Sequence, residues 1–180
     1  MTTIISVIGS KKSGKTLTME YIISKLSTEG FSVGSIKHVH DEGFTIDTKG
    51  KDTWRFANAG SKVVLCISPD EISIIRKSST FHNNINKILD LIKNENVDII
   101  LIEGFHGLVA KRNDIYKIIT AKDSDDLNTL LEGTNPPIIA ITGVIGEKKI
   151  NLNSINIPLI NINTQGEDLI NLIKKNIKSN

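Results

Sequence analysis

Gly9-Ser10-Lys11-Lys12-Ser13-Gly14-Lys15-Thr16, GSKKSGKT in one-letter code, follows the apolar run Ile4–Ile8 almost at once. It matches G-x-x-x-x-G-K-[ST] at every defined position. The spacing has a chemical reason. Loop N–H groups must point inward at phosphate oxygens, and Gly9 and Gly14 permit the backbone angles this needs. A helix starting here adds unpaired N–H groups and the positive end of its dipole. Lys15 brings a mobile cation to the β/γ-phosphates, and Thr16 a hydroxyl to Mg²⁺. The cradle therefore runs from Gly9 through Ser10, Lys11, Lys12, Ser13, Gly14, Lys15 and Thr16 to Leu17. The alternative is a chance match in a glycine-containing turn. The strand before it and the helix after it weigh against that.

Working outward, Thr3–Ile8 reads as a buried strand and Lys15–Glu29 as a helix stopped by Gly30. Phe31–Lys37 is the second strand, His38–Gly50 a loop and Lys51–Asn58 a short helix. Lys62–Ile67 and Ile72–Lys77 flank Ser68-Pro69-Asp70-Glu71, a hairpin signal. Ile85, Ile88, Leu89 and Ile92 repeat at helical spacing, and Val97–Ile102 is a continuous apolar run that suits a central strand. Tyr116–Thr120, Ile138–Thr142 and Ile157–Ile162 read as strands. Asp123–Leu131, capped by Asp123 or Ser124, and Glu167–Ile177 read as helices. The alternation predicts an α/β three-layer P-loop NTPase fold whose mixed, mostly parallel sheet includes the hairpin, with the 180 residues forming one domain.

Bulk properties narrow the function. With 39% apolar and 23% charged residues the chain is expected to be soluble and globular. A net charge of +2, with basic residues in short groups, gives no reason to expect a nucleic-acid partner. The single cysteine, Cys66, excludes an internal disulfide and a CxxC pair. No apolar run approaches the ~20 residues of a membrane span. A strand starts almost at the first residue, with no leader-like segment, so a cytoplasmic location is expected.

A nucleotide-bound Mg²⁺ needs a carboxylate at the carboxyl end of a neighbouring strand. Asp98 and Glu103 bracket Ile99–Ile102 and lie about 16 Å apart at strand rise. Only one can stand at the active end. That one is Glu103, with Asp98 a strand-start residue. The competing reading makes Glu103 a strand-end salt bridge. His38 and His40 share a side of an extended chain, but two histidines do not complete a transition-metal site. Polar contacts in the cleft or surface positions suit them better. Asp47-Thr48-Lys49-Gly50-Lys51-Asp52 fits two readings equally: a segment that senses the γ-phosphate, with Asp47 near Mg²⁺ and Lys51 near anions, or a solvated loop leading into a helix. Trp54 and Phe56 either pack internally or meet a partner subunit.

GSKKSGKT, then IKHVH, then DTKGKDTWRFANAG, then LIEGF stand in an order and spacing that resemble the MobB family from residue 4 to about residue 105. These are the accessory GTP-binding proteins of molybdopterin-guanine dinucleotide biosynthesis. The resemblance implies a mixed α/β P-loop domain that is usually a homodimer, binds GTP with Mg²⁺ and hydrolyses it slowly. It also implies that the protein assists a MobA-type guanylyltransferase. Nucleotide-binding roles carry over to Gly9–Thr16, the acidic strand-end role to Glu103, and matching positions to Asp47, Lys51 and His38. On this reading Lys15, Glu103 and Asp47 support catalysis, and Thr16, Glu103 and Asp47 serve the metal. The chain departs from its relatives in three places. Ser10 stands where related dimeric NTPases often carry a lysine, so no lysine reaches across a dimer from that point. Gly143 ends the late strand where family members often have a carboxylate. No proline precedes Gly50.

Two other readings compete. A small-molecule kinase needs an arginine-bearing lid. The chain has only Arg55, Arg76 and Arg112, and Lys111-Arg112 is the one lid-like cluster. A nucleotide-switched adaptor or carrier needs binding without turnover. No [NT]-K-x-D tetrapeptide occurs, so the motifs do not choose the base.

Overall fold

The computed structural model describes residues 2–77, 83–148 and 156–177. The elements in chain order are β1 (Thr3–Gly9), α1 (Lys15–Thr28), β2 (Val33–Lys37), α2 (Asp52–Asn58), β3 (Val63–Ile67), β4 (Ile72–Arg76), α3 (Ile85–Asp90), β5 (Ile99–Glu103), α4 (His106–Val109), β6 (Tyr116–Thr120), α5 (Ser124–Glu132), β7 (Ile138–Thr142) and α6 (Ile162–Lys174). The chain divides into two compact units, residues 1–38 with 84–180 and residues 39–83.

The first unit is built on a five-stranded sheet in the order β2-β5-β1-β6-β7, parallel throughout. Period-two alternation divides its apolar side chains between two faces. Ile5, Val7, Ile99, Leu101 and Ile118 join a core cluster with Met19, Ile22 and Leu26 of α1 and Leu169, Ile170 and Ile173 of α6. Ile8, Ile100, Ile102, Ile119 and Ile141 join a second with Ile85, Ile88 and Leu89 of α3, Val109 of α4, and Leu127 and Leu130 of α5. Helices thus cover both faces, the three-layer arrangement expected of a parallel sheet. All five residues of β5 are buried, which explains why its sequence is a continuous apolar run rather than an alternation.

In the second unit β3 and β4 pair antiparallel, with Leu65 opposite Ile74 and Ile67 opposite Ile72. This hairpin is a two-stranded sheet of its own and does not extend the parallel one. No residue of α2 is buried. Lys51 sits at its N-cap, one residue earlier than the helix proper.

Most boundaries shift by one or two residues from the sequence expectation, and two elements differ more. Ile157–Ile162 is not a strand. Only an isolated bridge joins Leu159 to Ile141, and Ile162 already begins α6. The Asn161 side chain caps that helix by accepting from the Asn163 N–H (2.9 Å), and the helix kinks at Gln165. A polar cap thus overrides the β-branched run, and α6 starts five residues before Glu167. The helix with the clean Ile85, Ile88, Leu89, Ile92 spacing is short, ending at Asp90 before a 3-10 turn at Lys93–Glu95.

Candidate functional site

The loop between β1 and α1 stands at the carboxyl end of the central strand. Gly14 holds the helix N-cap at φ +103°, a left-handed conformation that costs glycine little. Gly9 is needed for room: a Cβ there would overlap the Thr120 carbonyl and hydroxyl. No side chain caps α1 and no acidic residue occupies its first turn. Its first N–H groups are therefore available to an anion, and no carboxylate repels one. The loop is braced from its neighbours. Ser13 Oγ and Thr120 Oγ1 lie 2.6 Å apart, buried. Ser10 Oγ donates to Asp126 Oδ2 at 2.7 Å, which spends the Ser10 hydroxyl on α5. The Val144 N–H donates to the Ser13 carbonyl.

Lys15 folds back over the loop and donates from Nζ to the carbonyls of Gly9 (3.0 Å) and Ser10 (2.6 Å). Burial pushes its pKa down from the ordinary lysine value, and the Glu103 carboxylate pulls partly the other way. Carbonyls are weak partners for an ammonium, so a phosphate can take it from them. Lys11 and Lys12 are exposed at the loop, as is Leu17 just inside the helix.

Glu103 ends β5, buried, and Thr16 Oγ1 lies 3.5 Å from both of its carboxylate oxygens. That is long for a hydrogen bond, so the hydroxyl and the carboxylate face each other without a tight bond between them. Asp98, at the other end of the strand, accepts from the Ser32 N–H (2.8 Å) and is the strand-start residue expected. The sequence reading missed Lys37, which closes an ion pair on Glu103 Oε1. The register pairs Lys37 with Glu103 on adjacent parallel strands, and the next residue's N–H, that of His38, donates to the Glu103 carbonyl (2.9 Å). Lys37 lies within the IKHVH segment, but only strand order shows what it faces. Glu103 thus forms the strand-end ion pair of one reading and stands beside the cradle, where the metal role of the other would place it.

His38 stacks on Phe105, with ring centroids 4.1 Å apart. Gly104 and Phe105 both have positive φ, so the chain turns sharply after Glu103. Among the described residues no group of three or more His, Cys, Asp or Glu side chains is placed to hold a metal. A hydroxyl and one carboxylate beside an open set of amides is instead the donor set of a magnesium ion that arrives with phosphates and keeps waters. Thr16 and Glu103 fit such an ion.

Asp47 and Lys51 belong to the second unit. Asp47 Oδ1 accepts from the Thr53 hydroxyl (2.7 Å), while Oδ2 is buried without a hydrogen-bond partner among the described residues. Lys51 is exposed.

Gly143 follows β7 at φ +92°, ψ −157°, a region essentially closed to other residues. A Cβ there would overlap the Ser13 carbonyl. The departure from a strand-end carboxylate therefore has a steric cause.

A cavity of about 1110 Å³ opens at the opposite, amino end of the sheet, lined by Thr3, Asn86, Arg112, Asp114, Tyr116 and Pro137 among others. Its size does not make it the phosphate site. Arg112 is already held by Asp114 (2.6 Å from Nε, 2.5 Å from Nη2) and Asn86 (3.0 Å), and the ion pair lowers the Asp114 pKa. Arg112, half of the lid-like cluster that a kinase would need, thus stands at the wrong end of the sheet.

Comparison with known proteins agrees with this geometry. The profile of the MobB family, molybdopterin guanine dinucleotide synthesis protein B, matches residues 4–143. The chain is 32% identical over 167 residues to a putative molybdopterin-guanine dinucleotide biosynthesis adapter protein of Methanocaldococcus jannaschii, covering 89% of this chain and 65% of that one. It is 30% identical over 129 residues to the probable adapter protein of Bacillus subtilis, covering 71% and 69%. The chain thus spans about two thirds of the length of these relatives. Its fold matches the crystal structure of Bacillus subtilis MobB with a TM-score of 0.76 at 24% identity, over 99% of both chains. It matches the MobB homologue of Bacillus stearothermophilus with a TM-score of 0.68 at 18% identity, over 96% of both. On the strength of its P-loop, its parallel sheet and these matches, the chain belongs to the MobB family.

Proposed function

We propose that the protein binds GTP with Mg²⁺ at the β1–α1 loop, hydrolyses it slowly, and serves as an accessory to a MobA-type guanylyltransferase in molybdopterin-guanine dinucleotide biosynthesis. The observation that carries the reading is the uncapped, acid-free start of α1 with Lys15 above it and the Thr16–Glu103 pair beside it. The guanine preference and the guanylyltransferase come from the resemblance to the family, and the relatives' names point to the same pathway.

The chemistry is electrostatic. Loop amides and Lys15 hold the β- and γ-phosphate oxygens where negative charge builds as water attacks. Magnesium, when bound with the nucleotide, supplies further charge neutralisation there. Thr16 and Glu103 would hold the metal, directly or through water. The resemblance to the family gives Asp47 a metal role as well, and within its own unit the buried Asp47 Oδ2 has no hydrogen-bond partner among the described residues, which is costly unless a cation satisfies it. Lys51, exposed at the start of α2, would steer anions. With Glu103 given to the metal, no evident general base remains to activate the water, which makes slow turnover the expected behaviour. His38, stacked on Phe105, shapes the wall behind Glu103.

The proposed assembly is a homodimer in the cytoplasm. Val63, Leu65, Ile67, Ile72 and Ile74 line one face of the hairpin and are 41–69% exposed, an apolar strip that a second copy would cover. Among the described residues no helix is long and apolar enough to cross a membrane.

Phosphate release from GTP, with and without the guanylyltransferase, tests the function. Slow release that the transferase stimulates is expected. No release in either case replaces the GTPase with a nucleotide-switched adaptor. Transfer to an added acceptor faster than hydrolysis replaces it with a kinase.

A further inference from the structure

We propose that Lys37 is the resident counter-ion of the metal carboxylate: its ammonium holds Glu103 in the nucleotide-free protein and gives it up when magnesium nucleotide binds. The inference rests on the nucleotide reading above and adds a magnesium threshold that the chain carries itself.

The pair is asymmetric. The Glu103 side chain is 7% exposed and that of Lys37 is 55% exposed. Glu103 is fixed by the β5 ladder on both sides and through its carbonyl by the His38 N–H. A buried carboxylate needs a cation or strong donors. The Thr16 hydroxyl, at 3.5 Å, supplies neither. Lys37 meets the need from the solvent side, on a flexible stem that rotates away readily.

A magnesium ion beside Thr16 and Glu103 would meet the Lys37 ammonium on the same carboxylate. Two cations a few ångströms apart repel, and one carboxylate cannot fully neutralise both. Metal binding is therefore coupled to Lys37 release, and by linkage anything that removes Lys37 favours the metal. The carboxyl ends of β2 and β5 lie in register, so the freed ammonium stays at the phosphate end of the sheet. Lys37 is thus a positioning residue. It holds Glu103 in place before the ligand arrives, and it sets how much magnesium is needed to claim that carboxylate.

The test is a magnesium titration of a fluorescent GTP analogue bound to the wild type, Lys37→Met and Lys37→Arg. Lys37→Met is expected to lower the half-saturating magnesium concentration about three- to tenfold, the size suited to a partly solvated charge. Lys37→Arg, which keeps the charge, should stay near the wild type. As a readout that needs no variant to fold, the ¹⁵N resonance of the Lys37 ammonium should move when magnesium nucleotide is added and hold when nucleotide is added without metal. An unchanged or higher magnesium requirement in Lys37→Met, or a Lys37 resonance indifferent to the metal, overturns the proposal while nucleotide binding itself stands. If the wild type binds no nucleotide at any magnesium concentration, the nucleotide reading falls first and takes this inference with it.

Discussion

Ile99, Ile100, Leu101 and Ile102 of β5 are wholly buried, whereas Leu65, Ile67, Ile72 and Ile74 of the hairpin are each more than half exposed. Both regions are rich in β-branched and aliphatic residues, and both form strands. The parallel unit covers each face of its sheet with helices from the same unit, so its apolar residues find partners there. Among its described residues the hairpin unit has one short helix, with no buried residue, and its apolar strip is exposed. The difference teaches that strand propensity says nothing of what a strand packs against. One unit carries the P-loop, and the other presents an exposed apolar strip, the surface the proposed dimer would cover.

That division can be broken from either side. The largest effect is expected from Lys15→Ala. Losing the ammonium should weaken magnesium-GTP binding about 100-fold or more, the cost of truncating a desolvated charge pair, and leave the oligomeric state unchanged. Titration beside sedimentation velocity checks both halves, and a shift in mass would break the comparison. Next comes the reciprocal variant, Leu65→Lys with Ile74→Lys. It should raise the dimer dissociation constant about 10- to 100-fold through lost apolar burial. A wild type that is already monomeric would show that the strip meets something else.

Gly143→Ala sharpens the parallel side. Its Cβ would press on the Ser13 carbonyl from a backbone geometry closed to alanine, so it should cost about 1–3 kcal/mol in urea unfolding. Equal stability would mean that the strand end does not brace the loop. The smallest effect concerns Lys117, buried in β6 with Nζ donating to the Arg112 carbonyl (2.5 Å). Burial lowers its pKa, so between that lowered value and the ordinary one the unfolded chain holds more protons. Stability should then rise with pH across that alkaline window, and less so in Lys117→Met. Parallel slopes for the two proteins would show Lys117 to be no more desolvated than a surface lysine.

What was legible in the sequence was local. Gly14-Lys15-Thr16 specifies its own turn and helix start. Asp98 and Glu103 were separable because five residues of strand cannot put both at one end. Asp123 caps α5 as its position before the helix predicts, accepting from the Asp126 N–H (2.9 Å). What was missed was set by tertiary register or by a competing cap. Lys37 became visible only once β2 was seen to pair with β5 in step, and the Ser10–Asp126 bond joins residues 116 positions apart. Ile157–Ile162 failed as a strand because Asn161 starts a helix within it. The family resemblance placed Asp47 and Lys51 in a loop where sequence left two readings balanced. The Asp47 Oδ2, buried without a hydrogen-bond partner among the described residues, leaves the choice to a metal titration of Asp47→Asn.

The central claim is that the β1–α1 loop holds a triphosphate together with magnesium. Calorimetric titration of GTP, ATP and GDP into the wild-type protein, each with and without magnesium, tests it most directly. The account predicts saturable GTP binding, one per chain, strengthened by magnesium and weaker for GDP and ATP. No saturable heat with any of the three nucleotides, at millimolar concentration and with magnesium present, would contradict it.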